Sequence, residues 1–213
     1  MNERWNLDSL YHGFSDPNFT GDLQALKVAC GRFDTFTKSL EEMDPAHALR
    51  QGIEALEEIS SLSNLLLEYA SLRQSADTSD AEASSALGQV MAVVSQCAGA
   101  YARFQTYAAG LPNLDEILEA DELLRQYRFY FRQVREGSRY LLGSQGEDIM
   151  AKMQLSGSSA WSDLQAYLTS TVSVDYNGGV TNLSAIRNLA YDPDPAVRKA
   201  AYEAELACYD KIK

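Results

Sequence analysis

The chain has only two histidines, three cysteines and five prolines in 213 residues, and each scarcity excludes something. His12 is followed by Gly13 and His47 by Ala48. Neither therefore opens H-E-x-x-H, the helical zinc motif in which two histidines and a general base share one face. No Glu-x-x-His pair exists, which excludes the dimetal carboxylate bundles. Asp8 and His12 could share a helix face as metal ligands, but a third ligand is lacking. A solvated histidine in an N-terminal turn is the better reading. Cys30, Cys97 and Cys208 are far apart and set among apolar positions. They read as reduced core thiols of a cytosolic protein, not as a disulfide framework or zinc knot. Asn177-Gly178-Gly179 is a turn with no Lys-Ser/Thr behind it, so it is no phosphate loop. The serines near Trp161 lack a nucleophile elbow and a histidine partner. No catalytic constellation emerges.

Positive charge is scarce too. Eighteen Lys and Arg against thirty Asp and Glu leave a formal charge of −12, which argues against nucleic acid as a partner. It argues equally against a polybasic membrane anchor. Met1-Asn2-Glu3-Arg4 is followed by no apolar run, and nothing approaches the ~20 apolar residues of a membrane span. The expectation is a cytoplasmic protein with no nucleic-acid or membrane partner, and no cofactor or metal held by this chain.

What is present is helical period. A hydrophobic fraction of 46% and a mean hydropathy of −0.28 suit a globular domain. Phe19, Leu23, Leu26, Cys30 and Phe33 recur at alternating spacings of four and three, and Phe36, Leu40 and Met43 continue the stripe. After Asp44-Pro45, an N-cap and N1 pair, comes Leu49, Ile53, Leu56, Ile59, Leu62, Leu66, Tyr69, Leu72. The third stripe is the most regular: Ala83, Leu87, Val90, Val94, Cys97, Tyr101, Phe104, Ala108, Leu111, ended by Pro112. Such alternation keeps a narrow seam facing partner helices, and the polar turns predict antiparallel neighbours. A fourth helix is expected from Asp115 or Asp121 to about Glu136, closed by Gly137. Ser144-Gln145-Gly146-Glu147 reads as a capping box for a short helix ending at Gly157, and another helix follows around Trp161, Leu164 and Leu168. Val172, Val174 and Tyr176 then alternate with polar residues before Asn177-Gly178-Gly179, predicting a small β-hairpin near residues 171–181 that leans on a helix. Leu183 to Leu189 should be a short helix. Asp194-Pro195 starts an amphipathic helix that has met no stop signal by Lys213. The chain is therefore expected to be the front part of a longer protein.

The predicted fold is all-α: an antiparallel bundle of long helices, then shorter helices and one hairpin. The expected division is an N-terminal lobe over residues 1–182, made of a long-helix bundle (16–111) and a smaller helical subdomain with the hairpin (114–182). Residues 183–213 would begin a second domain.

Arg125, Arg128, Arg132, Arg135 and Arg139 lay a basic stripe along the fourth helix, beside an apolar register of Leu124, Tyr127, Phe131 and Val134. Arginines at such a boundary pair with carboxylates of adjacent helices, and Glu41, Glu42, Glu54, Glu57 and Glu58 are available. The sharper alternative is that Arg125, Arg128, Arg132 and Arg135 contact peptide carboxylates. The aromatic cluster Tyr127, Phe129, Tyr130 and Phe131 reads as helix packing, and Trp5 and Trp161 as anchors.

These residues carry a family likeness. Trp5-Asn6-Leu7-Asp8-Ser9-Leu10-Tyr11 resembles the W-x-L-x-x-L-Y opening of oligoendopeptidase F. Ser144 to Thr169 is similar to that family's N-terminal domain, especially Glu147-Asp148-Ile149-Met150, Gly157 and Ala160-Trp161-Ser162-Asp163-Leu164. Asp192-Pro193-Asp194-Pro195-Ala196-Val197-Arg198-Lys199-Ala200-Ala201-Tyr202 resembles the family's entry into its catalytic domain. The resemblance implies the noncatalytic N-terminal lobe of a zinc oligopeptidase of the thimet type, which cleaves short peptides in a deep channel. Zinc, its ligands and the general base would belong to the full-length parent, since none of those residues is here, and the chain alone should be inactive. Its partners would be the C-terminal catalytic domain, docked through Trp161, Tyr176, Asp194 and Arg198, and an oligopeptide substrate. The hairpin and the Asp194 helix would expose surface for that half. The competing reading is a self-contained helical module whose seams bind partner helices.

Overall fold

The computed structural model describes residues 6–212. Helices dominate: α1 (Pro17–Thr37), α2 (Pro45–Ala76), α3 (Ala81–Ser95), α4 (Ala98–Gly110), α5 (Leu114–Ala120), α6 (Glu122–Gln126), α7 (Arg128–Gly137), α8 (Ser144–Gln154) and α9 (Ala160–Thr171). The hairpin β1 (Ser173–Tyr176) and β2 (Gly179–Asn182) follows, then α10 (Leu183–Asn188) and α11 (Pro195–Cys208). The expected all-α architecture with one hairpin is what is observed.

The starts of α1, α2 and α11 share one device. Asp16, Asp44 and Asp194 each stand before a proline and accept a backbone N–H of the first turn. Proline loses nothing there, because its missing donor would have been unpaired in any helix. Asp80 caps α3 in the same way without a proline.

α1 and α2 are antiparallel, with Phe19 against Tyr69 at one end and Arg32 bonded to Glu58 at the other. α3 turns back along α2, tied by Arg73–Asp80 and Gln74–Ser84. The three apolar stripes converge on one core, in which Leu26, Leu49, Ile53, Leu66, Val90 and Phe104 are almost completely enclosed. Phe33 of α1 meets Phe104 edge to face, and Phe131 of α7 meets it at a tilt. α2 reaches that ring through Gly52, where a Cβ would overlap Phe104. The N-terminal segment closes one end of the bundle. Tyr11, Phe14, Phe19 and Tyr69 meet edge to face, and the Tyr11 hydroxyl donates to Asp22 Oδ2 at 2.7 Å. Trp5, part of the opening motif, lies outside the described residues.

Several boundaries differ from expectation, each for a local reason. The third stripe bends between α3 and α4 at Gln96 and Cys97, whose N–H groups bond three residues back to Val93 and Val94. Beyond the bend the buried face passes through Ala100, Phe104 and Ala108, so Tyr101 falls toward solvent. The fourth helix is three pieces. Asp121 leaves helical geometry at φ −114°, ψ 131° and caps α6 by accepting the N–H of Leu124. A second break falls at Tyr127. The capping box at residues 144–147 does not form. The N-cap is Gly143, and Glu147 instead accepts the N–H of Leu142 at 3.0 Å. Gly157 interrupts α8 and α9 within a wide π turn, Leu155–Ser159, at φ −100°, ψ −106°. The final α-helix, α11, passes at Cys208 directly into a 3₁₀ turn, Tyr209–Ile212. Tyr209 bonds Glu205 and Arg187 there, and Lys211 donates to Ser173 and Asp175 of the hairpin.

Cys30 and Cys97 are joined as a disulfide with Cα atoms 5.7 Å apart, which corrects the expectation of unpaired thiols. The pairing was hidden because their sequence separation is 67 residues and only packing of α1 on α4 brings them together. Cys208 is free and buried.

The hairpin turn places Asn177 and Gly178 at φ 49° and 78°, the left-handed pair that two-residue hairpins prefer. Register pairs Ser173 with Asn182 and Tyr176 with Gly179. The hairpin does lean on a helix. Val172 and Val174 share a second small core with Leu183, Ile186, Ala201 and Cys208, so it packs with residues 183–212.

Gly52→Ala should destabilise the bundle by about 1–3 kcal/mol, because Phe104 has nowhere to go. Gly21→Ala on α1, whose Cβ would meet nothing within 4 Å, should stabilise by up to about 1 kcal/mol. Urea unfolding of the two variants beside the parent chain checks both.

Candidate functional site

The basic stripe is partly neutralised. Arg128 bonds Glu119 at 3.0 Å and Arg135 bonds Asp115 at 3.0 Å, so the carboxylates come from α5. Three of the five acidic residues expected to serve are engaged elsewhere: Glu54 with Arg50, Glu58 with Arg32, and Glu57 with the hydroxyl of Tyr127. Pairing across helices is thus as expected in kind, with different partners, because the breaks at Asp121 and Tyr127 fold α5 back beside α7. Arg125 and Arg132 are exposed and make no ion pair among the described residues, while Arg139 lies over the Tyr140 ring, 4.9 Å from its centre. Arg128, Arg132 and Arg135 line one cleft of about 320 Å³, floored by Leu114, Leu118 and Phe131. Arg125 is not part of it.

The ion pairs that fix helices lie nearby. Arg50 of α2 grips Asp121 at 2.9 Å, and the N–H of Leu124 with that guanidinium holds the Asp121 carboxyl below the usual range. Arg103 of α4 donates to Asp34 and Thr37 of α1. Lys38 and then Arg103 hold the Asp34 carboxyl below its ordinary value. Tyr130 meets Tyr101 hydroxyl to hydroxyl at 3.4 Å, and burial above all, with Tyr101 beside it, pushes its phenol well up. The Tyr130 phenol stays protonated and serves packing.

Asp148, in the motif singled out on α8, has a structural task that sequence reasoning did not assign. Its Oδ1 accepts the N–H of Gly99 at 2.8 Å, capping α4 where Cys97 supplies no side-chain cap. A Cβ on Gly99 would stand 2.7 Å from that oxygen, so only glycine admits the carboxylate. No spacing rule links positions 99 and 148. The contact exists only because α8 packs on α4.

The four residues expected at a docking surface lie on α9, β1 and the start of α11. Trp161 stands 72% exposed on α9. Tyr176 is half-buried at the rim of the second core. Asp194 caps α11, and Arg198 donates to the carbonyls of Asp192 and Pro193 at 2.7 and 3.0 Å, closing the turn before that helix. Neither α8 nor α9 has a fully buried residue. Ile149, Met150 and Met153 of α8 and Trp161, Leu164 and Tyr167 of α9 are exposed apolar side chains. A cleft of about 430 Å³ separates α9 from α3, lined by Leu87, Gly88, Met91, Leu164 and Tyr167.

Nothing in this arrangement holds a metal. Among the described residues no group of three or more His, Cys, Asp or Glu is placed to bind one. Asp8 and His12 do not converge with a third ligand, and His12 offers its backbone N–H to Asp16. Among the described residues no helix is long and apolar enough to cross a membrane.

The described residues form a helical fold with several clefts and exposed apolar side chains on α8 and α9. Comparison with known proteins shows what this fold is similar to. A family model described as Oligopeptidase F matches residues 110–173, the stretch from the end of α4 to the start of the hairpin. The crystal structure of oligoendopeptidase-F from Enterococcus faecium is similar with a TM-score of 0.75 at 20% identity, over 93% of this chain. The chain spans 40% of the length of that structure. No curated protein matches the chain significantly. The resemblance expected from the sequence, to the N-terminal domain of oligopeptidase F, is therefore shown.

Two tests follow from the contacts above. Asp148→Ala should cost about 1 kcal/mol and shorten the protected part of α4, read by urea unfolding and hydrogen exchange. Asp34 is lowered from its ordinary 3.8 in the folded state. Its contribution is complete above that value and is lost as pH falls through the lower folded one. Asp34→Asn should therefore flatten the fall in stability between about pH 4 and pH 2, followed by thermal unfolding across that range.

Proposed function

We propose that this chain is the noncatalytic N-terminal lobe of a zinc-dependent oligoendopeptidase that hydrolyses short peptides. The lobe walls the substrate channel and admits only unstructured oligopeptides. The observation that carries this reading is the oligopeptidase F match over residues 110–173, set within a fold alike over 93% of the chain. The chain's own residues do not fit a zinc site, so the metal, its ligands and the base that activates water are assigned to the rest of the parent enzyme. The division has a physical rationale: metal and base perform hydrolysis, while a rigid helical wall controls access and excludes bulk water. The parent is placed in the cytoplasm. Its catalytic domain docks on the flank that carries Trp161, with the second core around Tyr176, Asp194 and Arg198 leading toward it. The cleft of Arg128, Arg132 and Arg135 attracts acidic side chains or the carboxyl terminus of a peptide.

The test is direct. The chain alone, with added zinc, should show no turnover of a quenched fluorescent peptide above buffer. The full-length parent should cleave that peptide and be silenced by chelator. Chelator-sensitive turnover by the purified chain would overturn the assignment, as would a parent coding sequence without H-E-x-x-H. In the active parent, Arg128→Gln with Arg132→Gln should raise KM for acidic peptides about fivefold and leave neutral ones unchanged. An unchanged KM for both removes the peptide-contact role while leaving the lobe assignment standing.

A further inference from the structure

The bend between α3 and α4 is held from two sides by unlike chemistry. On one side Cys97, the residue before α4, is bonded to Cys30 in the middle of α1. On the other, two residues along, Gly99 is capped by Asp148 of α8. Further along α4, Arg103 returns to Asp34 and Thr37 of the same α1. The sulfur bridge and the arginine together fix α4 on α1, and that placement presents the Gly99 N–H to Asp148. Cys208 stands apart in the second core, and burial pushes its thiol up.

We propose that Cys30 and Cys97 are a reversible dithiol–disulfide couple that sets how firmly the α3–α4 bend, and through Asp148 the helix α8, is held against the bundle. Oxidation requires a low-molecular-weight disulfide as partner. One cysteine thiolate attacks it, forming a mixed disulfide and expelling one thiolate. The second cysteine thiolate then attacks the protein sulfur of that mixed disulfide and expels the other thiolate. The Cys30–Cys97 bond forms, the reagent's bond is reduced, and the two protons from the cysteines finish on the two reagent thiols. A dithiol reverses the sequence. With Cys30 5% and Cys97 8% exposed, no reagent reaches either sulfur in the closed state, so exchange waits on local opening of the bend. The device is therefore slow and answers to sustained redox conditions. Its leverage comes from the chain: the bond ties positions 67 residues apart, and long closed loops restrict the unfolded ensemble most. Under reducing conditions both sulfurs remain in the core as thiols, and the fold is kept by the aromatic packing around Phe104.

The full chain equilibrated with oxidised or reduced dithiothreitol tests this. Denaturing alkylation should label Cys208 alone in the oxidised sample and all three cysteines in the reduced one, with peptide mapping placing the bridge between Cys30 and Cys97. The oxidised form should melt roughly 10 °C higher. Its Gly99 and neighbouring α4 amides should exchange at least about tenfold more slowly. Cys208→Ser should keep every difference. Cys97→Ser, close in size and remaining folded, should abolish them all. The proposal is overturned if all three cysteines are labelled after oxidation, or if the bridge forms and neither melting nor exchange changes.

Discussion

Phe104 is the residue the lobe is built around. Phe33 and Phe131 reach it from α1 and α7, and Gly52 removes every atom that would keep α2 away. A ring enclosed on all sides by three other helices fixes their mutual distance and rotation, because a close-packed interior tolerates neither a void nor an overlap. With α4 located, Arg103 can find Asp34, Cys97 can find Cys30 and Gly99 can receive Asp148. The polar and covalent ties form on that packing and then hold it in place.

The molecule is unevenly stabilised. The bundle and the hairpin–α11 unit each enclose their own core, while α8, the π turn and α9 between them bury no side chain completely. That span lies within residues 110–173, the part that answers to the oligopeptidase F model. Its apolar side chains are therefore not explained by this chain's interior. Under the proposed reading, in which the chain is one lobe of a longer protein, that surface is where the remaining part would pack.

Much of this was legible in the sequence. Phe19, Leu23, Leu26, Cys30 and Phe33 on α1 all proved buried, as did Leu49, Ile53, Ile59, Leu66 and Tyr69 on α2. Periodicity reads burial well where a helix faces one partner along its length. It read less well in the fourth helix, because Asp121 competes with the helical ladder for the Leu124 N–H and wins with help from Arg50, a residue remote in sequence. It placed Tyr101 in the core, because the bend at Gln96 and Cys97 changes which face is inside. The candidate residues fared similarly. Arg128 and Arg135 were recognisable as boundary arginines, but their partners on α5 depended on breaks the sequence does not announce.

By itself the sequence determined the helical class, the Asp-Pro starts, the Asn177-Gly178 turn and the stripes that became the bundle core. It also shows that neither histidine opens H-E-x-x-H. These follow from forces acting within a few residues: capping, backbone preference and the period of apolar positions. Only the tertiary structure decided that Cys30 meets Cys97, that Asp148 caps Gly99 and that the hairpin packs with α11. Each joins groups remote along the chain, and no local preference specifies a contact whose geometry exists only after helices have packed.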